Sequence, residues 1–147
     1  MDRRQLVVFK INGEEFGIEI KHICSIEKLL EIFRMPGTPD FVEGIINLRG
    51  EIFAVFNLRK RFNLPAAEYD DNARIIIVNI NSVTVGLIVD GVSEIISVEQ
   101  ENTETTSAVL TSLIRKYING AVKMNERVIP LLDLGVVISF ADDDICF

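Results

Sequence analysis

The chain repeats one pattern of glycines and apolar residues along its length. When Gly17 is aligned with Gly86, the apolar residues at positions 18, 20, 23 and 26 fall on those at 87, 89, 92 and 95. When Gly44 is aligned with Gly120, an aromatic residue stands three positions before each glycine. The two offsets, 69 and 76 residues, differ by an insertion in the second half. Chance alternation of apolar residues is the alternative, but the matched glycines favour a duplicated unit.

A duplication of this kind limits the folds that are open to the chain. Each repeat has about 65 residues, which is too few to bury a generous core alone. Isoleucine (21) and valine (15) outnumber leucine (12) and alanine (7), and β-branched side chains favour strands. We therefore predict a mainly β fold of two packed five-stranded barrels with short helices, because two small barrels close most of their sheet edges.

Turn residues divide the repeats into hairpins, since Asn-Gly and related pairs accept the positive φ of tight turns. The predicted strand pairs are Gln5–Ile11 with Glu14–Lys21, Gly44–Leu48 with Glu51–Phe56, Ala73–Ile80 with Val83–Val89, and Met124–Asn125 leading into Arg127–Leu132. Asn57 and Asp133 follow strands at equivalent positions, and their side chains predict N-caps of two short helices. We predict that residues 66–72 form a polar connector and that residues 99–107 form a surface loop.

One segment gives conflicting signals. Ile26, Leu29, Leu30 and Phe33 have helical spacing, although they follow a predicted strand in a β-rich chain. The periodicity alone indicates a helix here.

Charge and cysteine content exclude several classes of protein. The net charge is −7, and the acidity lies mainly after residue 64, where 13 acidic residues face 5 basic ones. An acidic surface repels nucleic acid and anionic lipid. We find no signal-peptide core, and apolar runs of five or six residues are too short to span a membrane. Cys24 and Cys146 are expected to be reduced and structural, and the chain to be soluble and cytoplasmic.

Reactive groups are sparse. His22 and Cys24 lack the further ligands of a metal site, so we expect a surface imidazole beside a buried thiol. No phosphate-binding glycine loop is present, and Asp142–Asp144 reads as a solvated charge run. The basic run Arg59-Lys60-Arg61 is expected to form a solubilising or partner-docking face rather than a nucleic-acid site. We predict no catalytic residue, no metal and no cofactor, and a protein that works by contact.

The motifs point to one family. The segments are Phe16-Gly17-Ile18-Glu19-Ile20, Pro36-Gly37-Thr38-Pro39-Asp40-Phe41-Val42-Glu43-Gly44-Ile45-Ile46-Asn47-Leu48-Arg49-Gly50, Leu58-Arg59-Lys60-Arg61-Phe62 and Val85-Gly86-Leu87-Ile88-Val89-Asp90-Gly91-Val92. In these segments the chain resembles the CheW family of chemotaxis coupling proteins from about Val7 to Ile138. The second segment is quite specific, and the others support it.

The resemblance implies a fold and a function. The fold is a single domain over residues 5–140, with two SH3-like barrels, approximate halves 5–70 and 71–140 that exchange strands, and an acidic tail over 141–147. A short turn of helix near His22-Cys24, with a strand from Ser25, then replaces the helix suggested by periodicity. The function is a non-enzymatic adaptor that binds the cytoplasmic tip of methyl-accepting chemotaxis receptors and the regulatory domain of the histidine kinase CheA. Such an adaptor is cytoplasmic and is recruited to receptor arrays at the membrane.

Candidate partner-binding residues lie at a predicted hairpin tip and on an apolar stripe. Gly50 would supply the turn geometry, and Asn47 would brace the turn. Arg49 would either project toward a partner or pair with a carboxylate of its own barrel, and both roles are compatible. The stripe holds Ile23, Ile26, Val92 and Ile95, which are either all core residues or in part the lining of a groove for a receptor helix, with Ile23 and Val92 the favoured lining residues.

Three positions depart from the family pattern. Ala54 and Asn57 replace a common proline and aspartate, so we expect a looser strand at Ala54 and an intact cap at Asn57. Ser25 stands where many relatives carry a glutamate thought to support kinase contact, and Glu27 could compensate. These departures leave open an alternative, a CheW-like adaptor of a non-flagellar pathway such as surface motility.

Overall fold

The computed structural model describes residues 3–65, 67–99, 103–104, 116–124 and 126–139. The strands in this part of the chain are β1 (Arg3–Ile11), β2 (Glu14–Glu19), β3 (Ile23–Lys28), β4 (Val42–Leu48), β5 (Glu51–Asn57), β6 (Arg74–Ile80), β7 (Val83–Val89), β8 (Gly91–Glu99), β9 (Thr103–Glu104), β10 (Ile118–Met124) and β11 (Arg127–Leu132). The helical elements are a 3-10 turn (Ile20–His22) and two four-residue helices, α1 (Leu58–Arg61) and α2 (Leu134–Val137).

The strands form two sheets with the same internal order. One sheet runs β8-β1-β2-β11-β10-β9, and the other runs β3-β6-β7-β5-β4. The sequence repeat relates β1 to β6, β2 to β7, β3 to β8, β4 to β10 and β5 to β11. When each strand of the order β8-β1-β2-β11-β10 is replaced by its equivalent in the other repeat, the order becomes β3-β6-β7-β5-β4, which is that of the second sheet. The expected fold class, mainly β with two packed five-stranded SH3-like barrels and short helices, is confirmed.

The two barrels do not coincide with the two repeats. We call the unit of β3 to β7 the central barrel, because it is continuous from Ile23 to Val89. The terminal barrel combines β1 and β2 from one end of the described chain with β8 to β11 from the other. The central barrel therefore takes three strands from the first repeat and two from the second, and the terminal barrel takes two from the first and four, including the short β9, from the second. The chain passes between them at Ile20–His22 and again at Asp90.

The largest apolar cluster lies between the two barrels. It unites Phe9 and Phe16 of the terminal barrel with Phe62 after α1 and Tyr117 before β10, all at most 2% exposed. Phe62 contacts both Phe16 and Tyr117, with ring centroids 5.9 and 5.0 Å apart. Each barrel also has a smaller cluster of its own. Burial of the shared cluster is what packs the barrels together.

The aligned glycines lie at equivalent positions, where two parallel strands pair. Gly17 faces Leu131 in the parallel pair of β2 and β11, and Gly86 faces Val55 in the parallel pair of β7 and β5. A Cβ atom at Gly86 would lie 2.8 Å from the Ile75 side chain. The repeat therefore keeps glycine at this position because the neighbouring side chains occupy the space of a side chain there.

Turns and caps follow the sequence expectations. All four predicted hairpins form, and the two turn residues of β6–β7, Asn81 and Ser82, have φ of 52° and 67°. Asn57 accepts a hydrogen bond from the Lys60 amide, and Asp133 accepts one from the Val136 amide, so both predicted N-caps are confirmed.

The segment with conflicting signals is mainly extended. The 3-10 turn ends at His22, and β3 begins at Ile23, two residues before the predicted start at Ser25. The backbone is extended rather than helical because β3 pairs with β6 as an antiparallel strand. We expected a looser strand at Ala54, and this prediction is wrong for the strand pairing. Ala54 is paired with Ile45 of β4 on one side and with Val85 of β7 on the other.

Candidate functional site

The hairpin between β4 and β5 presents an arginine on a rigid turn. Arg49 and Gly50 have φ of 52° and 85°, the left-handed geometry at both central residues that a two-residue hairpin needs. The Gly50 amide donates to Asn47 Oδ1 at 3.1 Å, so Asn47 braces the turn as predicted. All three residues are exposed. The turn fixes the backbone from which the Arg49 side chain extends.

Arg49 also contacts its own barrel. Its Nη2 lies 3.6 Å from Glu27 Oε2, and the two side chains are 74% and 18% exposed. The side chain therefore both projects into solvent and pairs with a carboxylate, as the two compatible roles require. Glu27 lies on β3, so the ion pair joins the tip of the β4–β5 hairpin to the strand at the other end of the sheet order.

Strand β3 carries three of the candidate residues. It is the outermost strand of the central barrel, paired with β6 on one side. Ile23 is half-buried and packs against the shared core, Ser25 is half-buried, and Ile26 is 37% exposed. Ser25 and Ile26 directly precede Glu27, the residue that pairs with Arg49, so they lie on the part of β3 that is near the tip. Ile23 lies at the opposite end of the strand.

Val92 belongs to a different surface. It is half-buried against the shared core, at the start of β8 in the terminal barrel. It lines an open cleft of about 500 Å³ that is walled by Lys10 of β1 and Arg74 of β6, one from each barrel. Ile95, farther along β8, is 60% exposed. The four stripe residues are therefore not all core: Ile23 and Val92 are half-buried, whereas Ile26 and Ile95 are exposed.

Two exposed apolar side chains were not singled out from the sequence. Ile52 follows the Arg49 tip and is 64% exposed, and its repeat equivalent Val128 is 58% exposed. A strand position that is apolar in both repeats is normally read as core. The signal that could have identified them is their place beside a turn in both hairpins, where a strand extends beyond the packed sheet.

The basic run after β5 serves the interior of the molecule. Arg59 forms a two-bond contact with Asp90, at 3.0 and 2.6 Å, and Lys60 Nζ lies 3.0 Å from Glu43. The Arg61 guanidinium donates to main-chain carbonyls of α2. The expected solubilising face is therefore wrong, because all three cations are half-buried and held by partners in their own chain.

Other reactive groups stand alone in the described residues. Within those ranges, no group of three His, Cys, Asp or Glu side chains is placed to hold a metal ion. Cys24 is a free thiol and is exposed, so the expected buried thiol is wrong, and His22 is half-buried. Cys146 and the Asp142–Asp144 run lie outside the described residues, as does most of the 99–107 loop. Every helix in the described ranges is too short or too polar to cross a bilayer.

Comparison with known proteins agrees with the double-barrel fold. The family model of the CheW-like domain matches residues 5–141. The chain belongs to the CheW-like family. The chemotaxis protein CheW of Bacillus subtilis is 35% identical over 134 residues, which cover 91% of this chain and 86% of that protein. The chemotaxis protein CheW of Klebsiella aerogenes is 32% identical over 136 residues, with coverage of 92% and 82%.

A solved structure supports the same assignment. The scaffolding protein TtCheW from Thermoanaerobacter tengcongensis matches with a TM-score of 0.89 at 32% identity, over 98% of each chain. The resemblance to CheW read from the sequence is thereby confirmed.

Gly44, in the second of the segments that carry the resemblance, has a structural role. Gly44 of β4 has a φ of 152°, and a Cβ atom there would overlap the carbonyl oxygen of Phe33. Phe33 and Ile45 exchange two main-chain hydrogen bonds, at 2.8 and 2.9 Å, which dock the 32–34 segment on the outer edge of β4. Glycine at position 44 therefore lets the long β3–β4 connection lie against the strand that ends in the Arg49 tip.

Proposed function

We propose that the chain is a non-enzymatic adaptor that couples methyl-accepting chemotaxis receptors to the histidine kinase CheA. It would bind the cytoplasmic tip of the receptor and the regulatory domain of the kinase, without a cofactor, in the cytoplasm at membrane-associated receptor arrays. The family supports this role, since two relatives are named chemotaxis protein CheW and the matched structure is titled a scaffolding protein.

The observation that carries the proposal is the presentation of Arg49. A braced turn holds its backbone, an ion pair holds one side of its guanidinium, and the side chain remains 74% exposed. Arginine in such a position offers several N–H donors in a planar fork, which suits the carbonyl and carboxylate oxygens of a protein partner. Arginine is also among the residues that most often dominate binding at protein interfaces.

The proposed contact surface has two parts. The first is the tip and the adjacent β3 edge, and the second is the cleft between the barrels, where Val92 lies among mainly polar residues that include Lys10 and Arg74. The residues that we assign to it are Ile23, Ser25, Ile26, Asn47, Arg49, Gly50 and Val92.

The test is assembly with both partners. Arg49→Ala keeps a non-glycine residue at the positive φ and removes the side chain beyond Cβ, which is 74% exposed, so its melting curve should match that of the wild type. We expect binding to the kinase regulatory domain, or to a receptor tip fragment, to weaken about tenfold or more. The exposed Lys123 of β10, changed to alanine, is the matched control. If Arg49→Ala assembles with receptor and kinase as well as the wild type does, Arg49 does not belong to the proposed contact surface.

A second arm tests the class of partner. Purified kinase, receptor fragments on vesicles and the adaptor are combined, and kinase autophosphorylation is measured with and without the chain. We expect the chain to be required for receptor control of the kinase. Failure to bind any chemotaxis receptor or kinase would refute the proposal.

A further inference from the structure

We propose that Glu27 is a positioning residue for Arg49, and that it sets the direction from which the guanidinium meets oxygen atoms of a partner protein. The inference rests on the proposed function, because it concerns how the proposed tip contact is made. It assigns to Glu27 no contact with the partner itself.

Glu27 is the fixed member of the pair. It lies within β3, where its neighbour across the strand pair is Ile75, a fully buried residue of β6. Its side chain is only 18% exposed, whereas that of Arg49 is 74% exposed. A long exposed arginine loses conformational freedom when it binds, and a fixed counter-charge that restricts it beforehand lowers that cost. The carboxylate therefore directs the arginine, and not the reverse.

The pair leaves the donors of Arg49 available. The distance between Arg49 Nη2 and Glu27 Oε2 is 3.6 Å, which is an ion-pair distance and longer than a hydrogen bond. The attraction thus orients the guanidinium without using one of its N–H groups. Glu27 would compete with a partner oxygen for the guanidinium only if Glu27 and Arg49 formed a shorter, hydrogen-bonded contact.

The terminal barrel contains a similar contact, made by residues that do not align with Arg49 and Glu27 in the repeat. Arg127 at the start of β11 lies beside the turn of the other repeat's hairpin, and its Nη1 is 3.2 Å from Glu94 Oε1. Glu94 lies on β8, the repeat equivalent of β3. Arg127 Nη2 also donates to Glu15 at 3.0 Å. In both barrels, then, an arginine at a hairpin end is held by a glutamate on the outermost strand.

The test compares Glu27→Gln with Glu14→Gln, which makes the same charge change at an exposed residue of the terminal barrel. Binding to the kinase regulatory domain and to a receptor tip fragment is measured by titration calorimetry. We expect Glu27→Gln to weaken binding of the partner that contacts Arg49 about threefold to tenfold, with an unchanged melting temperature, and Glu14→Gln to change neither. In the Arg49→Ala background, Glu27→Gln should have no further effect.

Three results would overturn the proposal. Tighter binding of Glu27→Gln would mean that Glu27 competes with the partner, and unchanged binding would mean that it does not position Arg49. An equal loss in the Arg49→Ala background would mean that Glu27 touches the partner directly.

A measurement on the unbound protein separates this inference from the proposed function. Nitrogen-15 relaxation of the Arg49 guanidinium should show faster motion in Glu27→Gln than in the wild type. If no kinase or receptor binds the wild type, the proposed function fails while this result can still stand. Identical guanidinium motion in the two proteins would overturn the positioning role by itself.

Discussion

Arg61 and Val137 occupy equivalent positions in the two repeats, and Arg61 Nε donates a hydrogen bond to the Val137 carbonyl oxygen at 2.9 Å. The Val137 side chain is fully buried in the shared core, whereas the Arg61 side chain extends from α1 to the end of α2. Its Nη2 donates to the Val136 carbonyl at 3.1 Å, and the guanidinium carbon lies 4.3 Å from the centroid of the Phe41 ring. One side chain thus joins the short helices of the two barrels.

Replacement of Arg61 by methionine should destabilise the fold. The carbonyls at the end of α2 would lose the guanidinium as a donor, although Ser139 would still donate to the Val136 carbonyl, and the contact with the Phe41 ring would be lost as well. We expect the free energy of unfolding in urea to fall by about 1–3 kcal/mol. Arg49→Met, at an exposed arginine, should change it by less than about 0.5 kcal/mol. Equal effects of the two variants would show that the Arg61 contacts do not stabilise the protein.

Asn57 performs two functions that an aspartate could not combine. Its Oδ1 accepts from the Lys60 amide at 3.1 Å, and its Nδ2 donates to Glu43 Oε1 at 2.8 Å. Asn57→Asp should keep the cap but place a second carboxylate against Glu43, at a cost of about 1–3 kcal/mol at pH 7. Urea denaturation measures the loss. Adding Glu43→Gln should restore most of it, and Asp133→Asn at the equivalent cap should be nearly neutral; no rescue by Glu43→Gln would contradict this account.

The same pair predicts a pH dependence. Burial raises the pKa of Glu43, but hydrogen bonds from Asn57 and Lys60 and the Lys60 charge outweigh it, so the pKa lies below the ordinary 4.5. A carboxyl group whose pKa is lowered by folding stabilises the protein above its unfolded pKa, and this contribution is lost as the pH falls through the folded value. Asn57→Asp removes one of these hydrogen bonds and adds a like charge, so it raises the pKa of Glu43. The deficit relative to the wild type should therefore shrink as the pH falls from 7 to 3.5, because protonation of one of the two carboxyl groups removes the repulsion. A deficit that stays constant from pH 7 to pH 3.5 would argue against repulsion as its cause.

Gly44→Ala should be among the most damaging single-methyl additions in the central barrel. The new Cβ atom would overlap the Phe33 carbonyl, and alanine would also be strained at a φ of 152°. We expect a loss of more than about 3 kcal/mol, together with faster amide exchange at Phe33 and Ile45. Gly13→Ala is the control, since Gly13 also has a positive φ but open space around its Cα. If both variants lose the same stability, backbone strain alone explains the effect.

Local chemistry explains why much of the fold could be predicted from the sequence. Turns at Asn12 and Asn81 and caps at Asn57 and Asp133 depend on residues within a few positions, so their signals are contained in short segments. The strand at Ile23–Lys28 was harder to predict, because its neighbouring apolar residues have helical spacing and its extended form depends on pairing with β6.

The site was predictable only in part, for the same reason. Asn47, Arg49 and Gly50 form one turn, and the sequence places them together correctly. The ion pair of Arg49 with Glu27 joins residues on different strands, and no local pattern indicates which carboxylate an arginine will meet. The basic run was misread because Asp90 and the end of α2 approach it only in the folded chain.

If the chain is cut between the two repeats, each fragment alone should fail to fold, and the two fragments should fold together when they are mixed. Apart from hairpins and the short β9–β10 pair, each strand pairing of the described residues joins strands from different repeats, as in β1 with β8 and β3 with β6. A cut between the exposed Ala67 and Glu68 would leave each fragment with isolated hairpins, which are marginally stable in water. We expect each fragment alone to lack dispersed amide NMR signals, and an equimolar mixture to regain the spectrum of the intact chain. A well-dispersed spectrum from either fragment alone would contradict strand exchange as the basis of the fold, because that fragment would then complete a sheet without strands of the other repeat.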